Sequence, residues 1–156
     1  MALKNHTPKR AWQKMLSGRR LNVLEPSPLD IEINDIAHGL SRLARWNGQT
    51  LGNYTFSVAQ HSILVEKIMH ISFSRLPNYW RLACLLHDAP EYVIGDLITP
   101  FKYALNNSYR FVEDNLMKAI YLKFGLPALL PRHIESKIKR IDKIIDSLEL
   151  FLIKNK

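Results

Sequence analysis

Near the C-terminus, apolar residues recur at alternating spacings of four and three: Ile134, Ile138, Ile141, Ile145, Leu148 and Leu152. At about 3.6 residues per turn this draws one apolar stripe along a helix that starts at Pro131, a position where proline suits a helix start. Such a helix is stable only when its stripe is covered, so the rest of the chain must supply packing partners. Most of the remaining pattern is helical too. A short first helix is expected over Pro8 to Leu16, then an extended connector from Asn22 to Asp30 that contains Pro26 and Pro28 and holds a short strand pair or none. Asn34 or Asp35 caps a helix bearing Ile36, Leu40, Leu43 and Ala44 and ending near Arg45-Trp46-Asn47-Gly48.

Ser57 and Gln60 have the spacing of a capping box, so another helix begins there. Val58, Val65, Ile68 and Met69 mark its apolar face; His61 falls on that face and His70 on the other side. Residues near Tyr79 to His87 form the next helix, stopped by Pro90. An irregular segment runs through Gly95 and Pro100. Helical spacing resumes from Tyr109 to Ile120 and ends at Gly125. The expected fold is an all-α helical bundle.

The 156 residues, 47% of them hydrophobic, suit one ordinary core, so 1–156 reads as a single domain with 1–33 as an N-terminal extension packed on it. Lys and Arg number 22 against 14 Asp and Glu, a net charge of +8 that favours phosphate-bearing partners and keeps a non-catalytic basic binding module open as an alternative. Cys84 is the one cysteine and lies inside an apolar run, which excludes an internal disulfide and reads as a buried small hydrophobe in a reducing compartment. The first ten residues hold no apolar stretch suited to a signal peptide, and no run of 18 apolar residues occurs anywhere. A cytoplasmic protein without a membrane partner is the expectation. Apolar helix stripes also make a homodimer the expected assembly.

The chemistry gathers where the apolar run Trp80 to Leu86 ends. Within fifteen residues follow His87, three carboxylates (Asp88, Glu91 and Asp96) and Lys102. Charges delivered to the edge of a core need a partner, and a metal ion is one. Inward-leaning ligands elsewhere are His61 and Asp142. On a helical wheel Asp142 lies about 80° from the centre of the C-terminal stripe and Asp146 about 120°, which favours Asp142. Two imidazoles, two carboxylates and no thiolate suit one divalent ion such as manganese, cobalt, nickel, iron or zinc. An octahedral ion would keep two positions open for water or substrate.

The order His61, His87-Asp88, Asp142 resembles the HD superfamily of metal-dependent phosphohydrolases, whose all-helical fold binds metal through such a set. Arg45-Trp46, Ala59-Gln60-His61-Ser62, and His87 to Glu91 followed by Gly95-Asp96-Leu97-Ile98-Thr99-Pro100-Phe101-Lys102 are similar to the YfbR-like 5′-deoxynucleotidase branch. That resemblance implies that His61, His87, Asp88 and Asp142 hold the metal and that Glu91 and Asp96 position or deprotonate the attacking water, with Asp96 the favoured proton handler. It also implies that Arg45 and Lys102 bind phosphate, that Thr99 and Pro100 shape the loop beneath it, and that Trp46 packs against the sugar and disfavours a 2′-hydroxyl. Gln60 stands where that branch has a glutamate, and the Phe124 to Arg132 region is compressed. The implied activity is hydrolysis of a (deoxy)nucleoside 5′-monophosphate, a small-molecule substrate, with nucleic acid not expected as a partner. A phosphodiesterase or alarmone pyrophosphohydrolase of the same fold is the alternative.

Overall fold

A computed structural model describes residues 11–154, the side chains at 106–107 and 151–154 excepted. Two strands, β1 (Trp12–Lys14) and β2 (Arg20–Asn22), precede six helices among the described residues: α1 (Ile33–Arg42), α2 (Val58–Ser72), α3 (Asn78–Leu85), α4 (Glu91–Ile94), α5 (Thr99–Lys123) and α6 (Arg132–Lys154). Single 3-10 turns occupy Pro28–Asp30 and Arg45–Gly48. The chain is mostly helical, as its pattern predicts, except at its start.

The helix predicted over Pro8 to Leu16 is absent from its described part; residues 8–10 lie outside the described residues. Residues 12–14 instead pair antiparallel with β2, Trp12 opposite Asn22 and Lys14 opposite Arg20. The cause is the loop between them. The Gly18 amide donates to the Met15 carbonyl at 3.0 Å, and Gly18 takes φ +86°, which closes a three-residue hairpin loop. Asp35 ties this hairpin to α1 by accepting from the Ser17 amide at 2.9 Å and the Ser17 hydroxyl at 2.6 Å. Asp35 is therefore inside α1 rather than its cap; the cap position is Glu32.

The stripe of α6 is buried at Ile134, Ile138, Ile141 and Ile145, and α2 packs against both α6 and α3 while α1 lies on α2 and α4. Leu148 departs from the expected stripe: it is 56% exposed, and Glu149 is buried in its stead. The two residues lie about equally far on either side of the stripe's centre, and the neighbouring helix and loop cover the side of Glu149. Leu152, the last stripe position, has its side chain outside the described residues.

Other boundaries shift for local reasons. The Ser57–Gln60 capping box forms and starts α2 as expected. Helix α1 stops at Arg42, because Ala44 leaves the helix to bridge Ser57. Helix α3 stops at Leu85, so His87 and Asp88 lie in turns rather than on a helix. Helix α5 starts at Thr99 with Pro100 in its first turn, ten residues before its apolar spacing becomes visible. Phe101, Tyr103 and Leu105 are exposed there, so no stripe marks those turns.

Helices α1 and α4 meet at Gly39. A Cβ added there would lie 2.9 Å from Tyr92 Cβ and 3.2 Å from the Tyr92 carbonyl oxygen. Gly39→Ala is therefore expected to force α4 away from α1 and destabilise the fold by about 1–3 kcal/mol, although alanine is the better helix former. Thermal denaturation checks this, and an equal or higher Tm would contradict the close approach.

Candidate metal centre and adjoining cavity

Four side chains from three parts of the chain converge. His61 projects from the first turns of α2, His87 and Asp88 from the turns after α3, and Asp142 from α6. One ligand atom from each lies within 4.8 Å of all the others. The fully buried His61 presents Nε2 at 3.0 Å from Asp142 Oδ1 and 3.5 Å from Asp88 Oδ2. His87 Nε2 is 3.2 Å from Asp88 Oδ2 and 3.5 Å from Asp142 Oδ1.

The outer nitrogens set the orientation of both rings. His87 Nδ1–H donates to the Cys84 carbonyl at 2.9 Å, and His61 Nδ1–H donates to Glu149 Oε1 at 2.8 Å. In neutral imidazoles this hydrogen-bond network leaves both Nε2 lone pairs facing two carboxylates. Buried His87 Nε2 has no hydrogen-bond partner. Four donor atoms this close are relieved either by protons on the imidazoles or by a cation between them, and with the imidazoles neutral the residues present fit a divalent ion.

The titration behaviour follows from the same geometry. Burial disfavours the His87 imidazolium, but Asp88 and Asp142 outweigh it and push the group up to about 10. His61 is also raised, its burial overcome by hydrogen bonds to Asp142 and Glu149. Asp88 and Asp142 are lowered despite burial, Asp88 chiefly by the His87 charge and Asp142 by its hydrogen bond from His61 and by the nearby His87. Glu91 moves the other way: burial, then the charges of Asp88 and Asp96, push it up to about 9. Asp96 is raised by burial against the opposing pull of Arg45. Burial likewise pushes the Cys84 thiol up to about 12, in keeping with its place in the core.

Arg45 reaches the centre through an unusual backbone. Trp46 and Asn47 take φ +55° and +52°, followed by Gly48 at +72°. Ladder bonds from Arg45 N to the Phe56 carbonyl and from Val58 N to the Leu43 carbonyl hold the strained turn in place. The guanidinium, 8% exposed, lies 3.4 Å from Asp96, 4.0 Å from Asp88 and 3.5 Å from Glu149 and donates to Asp146. Trp46 Nε1–H donates to Glu149 Oε2 at 3.0 Å.

Asp146 and Glu149 thus belong to the site, although helical-wheel reasoning set Asp146 aside and left Glu149 without a role. Their signal was available: Asp142, Asp146 and Glu149 stand at i, i+4 and i+7, on one edge of α6. His70, passed over in favour of His61, is exposed.

A cavity of about 360 Å³ shares Asp88 and Asp142 with the centre and is further lined by Arg45, Trp46, Glu91, Asp96, Thr99, Pro100, Lys102 and Asp146. All the residues singled out from the Gly95 to Lys102 run except the glycine and Phe101 border it. Thr99 and Pro100 are exposed at its edge. Lys102 Nζ is 3.8 Å from Glu91 Oε1 and 3.5 Å from Glu113 Oε1. A second cavity of about 570 Å³ is also bordered by His87, Asp88 and Asp142, with Met117, Tyr121 and Leu129 among its other walls. Among the described residues no helix is long and apolar enough to cross a membrane.

No known family profile matches the chain. It is 57% identical over 141 residues to an uncharacterized protein of Rhodobacter capsulatus, an alignment covering 90% of this chain and 72% of that protein. It is 32% identical over 117 residues to the uncharacterized protein YfdR of Escherichia coli, covering 75% of this chain and 60% of YfdR. The chain belongs to the same family as the Rhodobacter protein.

The protonation pattern makes a pH prediction for the metal-free protein. His87, raised to about 10 from 6.5, and Glu91, raised to about 9 from 4.5, bind more protons folded than unfolded between roughly pH 5 and 10. Their contribution to stability therefore falls as pH rises through that window, whereas Asp88 and Asp142 act with the opposite sign only below about pH 4. A divalent ion needs the imidazoles neutral, so its binding strengthens over the same rise. The Tm of chelator-treated protein is expected to fall from pH 6 to 8.5 while the Tm gain on adding manganese grows. A gain that shrinks with pH would contradict this ligand set.

Proposed function

We propose that this chain is an HD-type metal-dependent phosphohydrolase that hydrolyses phosphomonoesters, with (deoxy)nucleoside 5′-monophosphates as the substrate class. The observation that carries the reading is the junction of the convergent His61, His87, Asp88 and Asp142 atoms with a cavity bordered by Arg45 and Lys102. The similarity of Arg45-Trp46 and of the Gly95 to Lys102 run to 5′-deoxynucleotidases supports the substrate class.

His61, His87, Asp88 and Asp142 would hold one divalent ion, which when bound acidifies water and polarises a phosphoryl oxygen. Five carboxylates border the cavity against two cations, so an anionic substrate enters only with positive charge supplied. Arg45 offers a planar fork to the phosphoryl oxygens, but they must compete for it with Asp96 and Asp146. Lys102, 35% exposed at its side chain and more loosely held, is the readier cation. Glu91, rather than Asp96, is the stronger proton handler: it is buried, its Oε2 has no partner, and burial favours its protonated form. It can therefore hand a proton to the departing alcohol oxygen, while Asp96 orients Arg45 and takes the proton that the attacking water gives up. Trp46 lines the same cavity, and by the resemblance it would pack against the sugar and disfavour a 2′-hydroxyl.

Phosphate release from a panel of ribo- and deoxynucleoside 5′-monophosphates, with manganese or cobalt, tests the reading. Asp88→Ala is expected to be silent and Glu91→Gln to lose about 10²- to 10⁴-fold in kcat with an unchanged fold. Trp46→Ala should narrow the ratio of deoxy- to ribonucleotide turnover. Wild-type protein that releases no phosphate with either metal would sink the proposal.

A further inference from the structure

Glu149 lies outside the four-ligand set, yet it is 7% exposed and bonded to two parts of the site at once. Its Oε1 accepts from His61 Nδ1–H at 2.8 Å and its Oε2 from Trp46 Nε1–H at 3.0 Å. These contacts span 88 and 103 positions of sequence, so they are made by the tertiary fold alone. His61 is fully buried, so no water can replace the acceptor at Nδ1.

We propose that Glu149 is a positioning residue that couples the metal centre to the substrate wall. One oxygen holds His61 in the Nδ1–H tautomer, which aims the Nε2 lone pair at the centre. The other oxygen holds the Trp46 indole, and with it the left-handed turn that presents Arg45. This rests on the reading of the centre as a metal site and of the adjoining cavity as the substrate site.

A carboxylate is required because both partners are donors. An amide at this position has a single acceptor oxygen, so its NH2 would face either the imidazole N–H or the indole N–H. Glu149→Gln keeps the shape and breaks one of the two bonds. Loss of the His61 bond permits the other tautomer, which puts a proton where a ligand lone pair should be.

The test uses zinc alone as the probe, with calorimetry for affinity and nitrogen-15 spectra for the His61 ring and the Trp46 indole. In wild-type protein zinc is expected to bind with His61 Nδ1 protonated and to shift the Trp46 indole N–H resonance. In Glu149→Gln, zinc affinity is expected to fall about 10- to 100-fold and the indole resonance to stop responding to zinc. Trp46→Phe removes the indole N–H and keeps a ring; it carries the test if Glu149→Gln fails to fold, with affinity expected to fall several-fold. Wild-type and variant affinities within twofold, or an indole that responds equally in both proteins, overturn the coupling. These readouts need no turnover: zinc binding with intact coupling but no phosphate release removes the hydrolase reading alone, and a wild-type protein that binds no zinc removes both.

Discussion

The charge imbalance around Asp88 and Asp142 governs the rest of the site. These two face each other across His61 and His87, with Glu91, Asp96, Asp146 and Glu149 close behind. These groups are partly or fully withdrawn from solvent, so the excess of negative charge is met by protons, by Arg45 or by a bound cation. Both imidazoles are driven toward protonation, and Glu91 holds its proton to an unusually high pH. Arg45 is drawn in among four carboxylates. One field thus explains an array of shifts that would look unrelated residue by residue.

The backbone strain at Trp46 and Asn47 belongs to the same account. Non-glycine residues in the left-handed region cost of order 1–3 kcal/mol each, so surrounding contacts must hold them. Here the Ala44–Ser57 bridge holds the base of the turn and Glu149 holds the Trp46 ring at its tip. The turn lets a short loop deliver a long buried cation, which a continued α1 would have carried off in another direction.

Much of this was legible in the sequence because it rests on periodicity. The α6 stripe, the Ser57–Gln60 cap and the choice of His61 over His70 all follow from helical geometry; His87 and Asp88, which stand in turns, join His61 and Asp142 within 4.8 Å without its help. What escaped has no period to detect. Three-residue strands are too short to alternate visibly, so Gly18 was the only cue to the hairpin. The first turns of α5 are exposed and carry no stripe. Asp146 and Glu149 were passed over because their partners, Arg45 and Trp46, arrive from a turn that no wheel describes. Leu148 seemed the better core residue because apolarity alone was weighed, without the charged neighbours that wait on the other side of the helix.

Asp142, Asp146 and Glu149 are borne on one continuous helix, and that gives the site an unusual relation to chain length. Adding one residue to α6 just ahead of Asp142 would turn all three carboxylates about 100° away from their partners, and adding seven, which restores the angle to within about 20°, would slide them about 10 Å along the axis. Helix α6 thus works as a ruler: between its buried stripe and its carboxylates neither the angle nor the distance tolerates an inserted residue, so any change of length must fall in the loops at its ends.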